Sequence, residues 1–295
     1  PEIEPGARTP LMLQAVLGSS SHPIAVAFLV APAAMSQRLV RAKRKIRDAG
    51  IGFSVPDTSA WPDRFGAVLE AIYAAYAAGW ADPLGVDPAQ RALAEEAIWL
   101  GRVLAAHLPN EPEALGLLAL MLHLDARRLA RRDADGGYVP LEAQDVGLWR
   151  TDLIAEAEKL LRAAAAANRI GRYQLEAAIQ SAHAARLDCG EADWQAIALL
   201  YEALARLTGA APAQLNVAAA IARRDGAEAG LEAAEAALAR FPALKSYQPF
   251  WALRADLLAQ LGRFEQARAA YEQAIARERD GAVIRFLSRR RDAIA

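Results

Sequence analysis

Six cations, Arg38, Arg41, Lys43, Arg44, Lys45 and Arg47, fall within ten residues that contain no acid. Cations at this density, with no local counter-charge, suit a polyanion, because they neutralise phosphates and release bound counterions. The same stretch has an apolar period. Met35, Leu39 and Ile46 stand at i, i+4 and i+11, which is one stripe along a helix. Ser36, Gln37, Arg38 and Arg41 point away from that stripe. An arginine fork meets guanine with two hydrogen bonds, and a glutamine amide does the same with adenine; the other basic residues would neutralise phosphates. A basic amphipathic helix also suits a membrane surface or a partner protein.

The elements that must position these groups are legible from proline and glycine. Pro32 suits the first turn of the basic helix, where its missing N–H costs nothing, and Gly50 suits the end. Upstream, residues 8–17 (RTPLMLQAVL) form a short helix stopped by Gly18 and the serines 19–21. Pro23 opens a short apolar helix, IAVAFL, that ends near Leu29. An apolar helix, a tight turn and a basic second helix match a helix-turn-helix, whose second helix enters the major groove. Residues 51–62 (IGFSVPDTSAWP) hold two prolines and no helical period, so they read as a linker between a DNA-binding domain, 1–56, and a helical domain, 63–295. The helices of the second domain are expected at 63–79, 88–107, 111–131, 151–167, 172–186, 193–208, 212–224, 227–240, 247–261, 264–278 and 281–294. One long irregular stretch spans 133–147.

Composition supports an all-α fold. Of 295 residues 54% are hydrophobic, with alanine dominant, and alanine is the best helix former. Runs of β-branched residues are nearly absent. A net charge of −1 conceals an asymmetry: residues 1–56 hold seven Lys/Arg and three Asp/Glu, a net of +4, so the remainder carries −5. The lone Cys189 excludes an internal disulfide and fits a reducing cytoplasm. There is no signal-peptide pattern and no apolar run of about 20 residues, so no membrane partner is expected. The sequence opens on Pro1 rather than Met, as a fragment would. His107, His123 and His183 lie on separate helices, and no Glu-x-x-His or Cys-x-x-Cys pair occurs, so no metal site is expected. The DADG at 133–136 reads as a turn rather than a calcium loop. With no phosphate loop and no nucleophile elbow, neither a cofactor nor enzymatic activity is expected.

A repeat marks the C-terminal part. In residues 251–276, Trp251, Ala255, Leu258, Gly262, Ala267, Tyr271 and Ala274 fall where a tetratricopeptide unit sets its large and small residues. Ala255 and Ala267 let two helices close, Gly262 turns the chain, and the large residues fill the gaps. A weaker copy contains Leu215, Ala219, Ala222 and Gly226. Trp194, Ile197, Tyr201 and Leu204 suit the second helix of an earlier unit. Stacks of such hairpins usually hold a protein or peptide.

Residues 11–56, through AFLVAPAAMSQRLVRAKRKIRDAGIGFSVP, resemble region four of extracytoplasmic-function RNA polymerase sigma factors. The subgroup resembled has a long helical extension. The stretch 95–150 is similar to that extension in EEAIWLGRVLAAHLPNEPEALGLLALMLHLDARRLARRDADGGYVPLEAQDVGLW, as are YQLEAAIQSAHA and the last tetratricopeptide-like unit. The resemblance implies a bacterial, cytoplasmic protein whose partners are the promoter −35 element and the β flap of core RNA polymerase. By position it implies that Ser36, Gln37, Arg38 and Arg41 face the −35 bases and backbone, with Arg44 and Lys45 near phosphates. Two features depart from the family. Ala34 replaces the usual threonine, and residues 31–33 lack the usual acid, so a side-chain N-cap worth about 1 kcal/mol is missing. GSSSHP also differs from the common turn into the second helix. Region two, which opens the −10 element, has no counterpart.

The expected protein is therefore a sigma-factor fragment with a helical extension for protein interaction or regulation. The acidic extension permits an intramolecular contact with region four. The alternative is a tetratricopeptide-type protein-binding scaffold without DNA binding, and Arg38 and Arg41 discriminate between the two.

Overall fold

A computed structural model of the chain describes residues 3–16, 21, 24–25, 30–50, 52, 61–80 and 88–294. Most of the expected second helix, the turn into it and most of the 51–62 linker lie outside the described residues. Among the described residues the regular elements are all helical: α1 (Pro5–Val16), α2 (Pro32–Asp48), α3 (Trp61–Trp80), α4 (Pro88–His107), α5 (Pro112–Ala126), α6 (Thr151–Ala166), α7 (Arg172–Ala184), the single turn α8 (Arg186–Cys189), α9 (Trp194–Thr208), α10 (Ala211–Asp225), α11 (Ala227–Arg240), α12 (Gln248–Gln260), α13 (Phe264–Arg277) and α14 (Gly281–Asp292). None is long and apolar enough to cross a membrane.

Local chemistry sets most of these boundaries. Proline occupies the first turn of α2, α5, α10 and α12. Gly262 turns the chain between α12 and α13 at φ +71°, a backbone conformation that glycine adopts freely. The helix expected over 111–131 is shorter. It ends at Ala126, and a 3₁₀ turn at Leu129–Arg131 follows. The irregular stretch continues with two further 3₁₀ turns, and Tyr138 anchors it by packing edge-on to Phe286 of α14 at 5.3 Å.

From α3 to α14 helices adjacent in sequence pack on one another, except that α9 packs on α7 past the single turn α8, with small cores between successive pairs. At the α12–α13 turn, Ala255, Leu258, Ala267, Tyr271 and Ala274 are buried in one cluster. The largest core surrounds α5, which contacts α3, α4, α6 and α7. Twelve of its fifteen residues are buried, so it has no solvent face and is apolar all round. Leu117, Met121 and Leu122 are fully covered, each worth about 1.5–3 kcal/mol of transfer free energy.

The N-terminus of α7 docks directly on α5. Its first N–H groups have no side-chain cap, because the cap position is Gly171. Glu113 of α5 supplies the acceptors instead: its carboxylate accepts from the Tyr173 N–H at 3.1 Å and the Gln174 N–H at 3.0 Å. A methyl group on Gly171 would strike that carboxylate. One on Gly116 would lie 2.7 Å from Gln174 N and 2.9 Å from its Cα. Both glycines therefore serve the same close approach. Farther along α7, His183 is buried and packs edge-on to Trp194 at 5.6 Å. Burial, then the nearby Arg127 and Arg186, push its pKa down to about 4.

Gly116→Ala should destabilise the chain. The obstructing atoms are backbone and cannot rotate away, so overpacking of about 1–3 kcal/mol outweighs the helix-propensity gain of about 1 kcal/mol; urea unfolding would read the difference. His183 yields a pH dependence. Its folded pKa lies below the unfolded value, so the unfolded chain binds a proton first as pH falls. Stability present above about pH 6.5 is therefore lost progressively down to about pH 4, by roughly 3 kcal/mol in all. Unfolding measured between about pH 7 and pH 4.5 should show a steeper loss in the native chain than in His183→Gln.

Candidate nucleic-acid interface

Helix α2 starts from Ala31 in extended conformation, with no side-chain cap and with Pro32 in its first turn. It ends at Asp48, just before Gly50. Met35, Leu39 and Ala42 are buried and Ile46 is half-buried, so Ala42 completes the stripe. Met35 and Leu39 enter the α5-centred core together with Leu13 of α1, Ile24 and Ala25, and Leu69, Ile72 and Tyr76 of α3. At about 100° per residue, a stripe of this width leaves the rest of the helix circumference to the cations.

The six expected contact residues divide by position around that circumference. Gln37, Arg41 and Arg44 lie opposite the stripe and are exposed, and Lys45 is exposed beside Arg41. These four form one surface. Ser36 and Arg38 sit on opposite flanks, half-buried, and bond to residues of the N-terminal segment. The Ser36 hydroxyl donates to Ser21 Oγ at 2.8 Å, and Arg38 Nη1 donates to the Gly6 carbonyl at 3.2 Å. Three further exposed residues widen the surface: Lys43, Arg47 and Val40, the last 65% exposed. An apolar side chain among cations suits a thymine methyl. Val40 lies well off the stripe in a helical projection, and that offset was the sequence signal for it.

The exposed arc holds five cations, Arg41, Lys43, Arg44, Lys45 and Arg47, against the single acid Asp48, a net of +4. Arg44 and Asp48 approach to 3.4 Å, but both are well exposed, and such a surface pair is worth only about 0.3–0.5 kcal/mol. Among the described residues no acid pairs with Arg41, Lys43, Lys45 or Arg47. Lys45 and Arg47 lie in the last turn, where the helix dipole favours cations. The N-terminal segment meets the downstream helices through its apolar face and through polar contacts such as Thr9 Oγ1 to Glu70 Oε2 at 3.1 Å. The acids of the downstream helices do not reach the exposed cations among the described residues. No group of three His, Cys, Asp or Glu side chains gathers as a metal site would require, again among the described residues.

Residues 64–165 match a family of unknown function (DUF6596). The chain is also 42% identical over 266 residues to an uncharacterized protein of Rhizobium meliloti (strain 1021); the match takes in 90% of this chain and 62% of that protein, so the chain spans less than two thirds of its relative's length. No solved structure matches the chain. The family match covers α3 through α6, which supply much of the core on which α2 rests. Met35→Ala should consequently destabilise the chain by about 2–5 kcal/mol and raise hydrogen exchange in both α2 and α3; exchange confined to α2 would show that the shared core does not couple them.

Proposed function

We propose that this chain is part of an extracytoplasmic-function-type RNA polymerase sigma factor, in which α2 is the recognition helix of a helix-turn-helix that binds promoter DNA at the −35 element. Helices α3–α14 form a tetratricopeptide-like extension for protein interaction or regulation. What carries this function is the exposed arc of α2, five cations with a single acid, on a helix seated on the core by Met35, Leu39 and Ala42. Gln37 and Arg41 would meet base edges, Arg44 and Lys45 would meet phosphates, and Ser36 and Arg38 would set the angle of the helix through their bonds to the N-terminal segment. Contact with the β flap of the polymerase belongs to the same proposal, as does a cytoplasmic location. The alternative, a tetratricopeptide-type scaffold without DNA binding, draws on the stacked hairpins of α9–α13.

Charge reversal in the full chain separates the two better than truncation, because removing residues 1–56 would expose the core they share with α3. Arg41→Glu combined with Arg44→Glu should abolish selection of promoter fragments from a genomic library. It should also lower the slope of log affinity against log salt by roughly 1, for Arg44, the one phosphate-directed cation removed. Anisotropy titrations at several salt concentrations provide the measurement. Unchanged affinity and slope would favour the scaffold.

A further inference from the structure

A cleft of about 480 Å³ opens between α3, α5, α7, α9 and α10, far along the sequence from α2. That volume suits a small organic ligand. Leu120, Leu124, Ile179 and Leu204 supply apolar walls. Tyr73 and Tyr201 also line it; burial pushes both phenols up to about 12, so both are neutral hydroxyl donors at ordinary pH. The one acid in the lining, Glu176, is already paired with Arg172 at 2.7 Å.

Gln180 lines the cleft, and Arg127, outside the lining, is bonded to it. The guanidinium donates to Gln180 Oε1 at 2.5 Å and lies close enough to Tyr201 to act on its phenol. Arg127 belongs to a run of four arginines, 127, 128, 131 and 132. Arg128 pairs with Asp125 and Arg132 with Asp280. Arg131 stacks on the Trp80 ring at 3.8 Å. Arg127 has no carboxylate partner among the described residues, and burial lowers its pKa. Apart from the Trp80 ring, 5.9 Å away, this cation withdrawn from water has only a neutral amide to accept its hydrogen bond, and an anion relieves that deficit.

We propose that this cleft binds an apolar carboxylate, whose acid group displaces the Gln180 amide from Arg127 while its body lies on the leucine and isoleucine walls. A small organic acid and the C-terminus of an apolar peptide share this chemistry. The proposal is independent of what α2 binds.

Calorimetric titration of the full chain with decanoate, and separately with an N-acetylated apolar hexapeptide bearing a free C-terminus, provides the test. At least one should saturate a single site, and its neutral counterpart, decanol or the amidated peptide, should bind about 10- to 100-fold more weakly, the range expected for hydrogen bonds to a charged group. The acid that binds identifies the source. Because Arg127→Met removes a buried group and is prone to unfolding, Gln180→Glu carries the decision. It gives Arg127 a permanent partner, so the melting temperature should hold or rise while carboxylate affinity falls about as far as with the neutral analogue. Saturation by neither acid, equal affinity for the neutral analogues, or full affinity in folded Gln180→Glu would each overturn the proposal. Carboxylate binding should be unchanged in the Arg41→Glu, Arg44→Glu chain.

Discussion

The contact between α5 and the N-terminus of α7 constrains everything around it. A helix start leaves several N–H groups without partners, and burying them unsatisfied is costly. Here Glu113 accepts two of them from the neighbouring helix, while Gly116 and Gly171 remove the side chains that would hold the two backbones apart. Once α7 is seated in this way, α5 is enclosed by α3, α4, α6 and α7 and has to be apolar on every face. The outer helices then need only one apolar stripe each. The Arg102–Glu156 pair at 2.9 Å, between α4 and α6, and the Arg169–Glu111 pair at 3.1 Å lie at the margins of this arrangement, partly exposed.

The basic helix α2 depends on that core. Its stripe does not pack only within residues 1–56: Met35 and Leu39 share a cluster with Leu69 and Tyr76 of α3, and through them with α5. The consequence is electrostatic as well as structural. Apolar residues face the acidic body, so the cations are turned outward and meet few local acids. The charge asymmetry between the two ends of the chain is thereby kept as a surface potential rather than spent on internal ion pairs.

Inside the molecule the arginines are treated unequally. Arg132 and Asp280 tie the turn after α5 to the start of α14, where Asp280 also caps that helix by accepting from the Ala282 N–H at 2.8 Å. Arg128 answers Asp125 one turn back at 2.8 Å. Arg131 relies on the Trp80 ring and on the Trp80 carbonyl at 2.7 Å. Arg127 is left with the Gln180 amide and the more distant face of Trp80 at 5.9 Å. Two of four neighbouring cations are thus neutralised by acids and two are not. The Arg127 charge lies close to His183 and, after burial and alongside Arg186, helps to keep that ring neutral.

The sequence by itself determined the helices and most of their limits, because those signals are local. Proline in a first turn, glycine past a last turn, the 3.6-residue period of α2 and the repeat spacing of α12–α13 act over a few residues, without distant partners. The stretch 111–131 was less legible. An all-round apolar helix followed by RRLARR has no periodic boundary, and its end at Ala126 is set by the turn that carries Arg127 to Gln180 and Arg131 to Trp80. Tertiary structure alone decided which polar groups stay free. Ser36 and Arg38 have the same chemistry as their exposed neighbours, yet Ser21 and Gly6 engage them. Glu113 looks like an ordinary first-turn acid until α7 arrives 60 residues later. Periodicity reports which face of a helix is buried, but the partner of a hydrogen bond or a charge is chosen by which helices meet, and that is settled by packing across the whole chain.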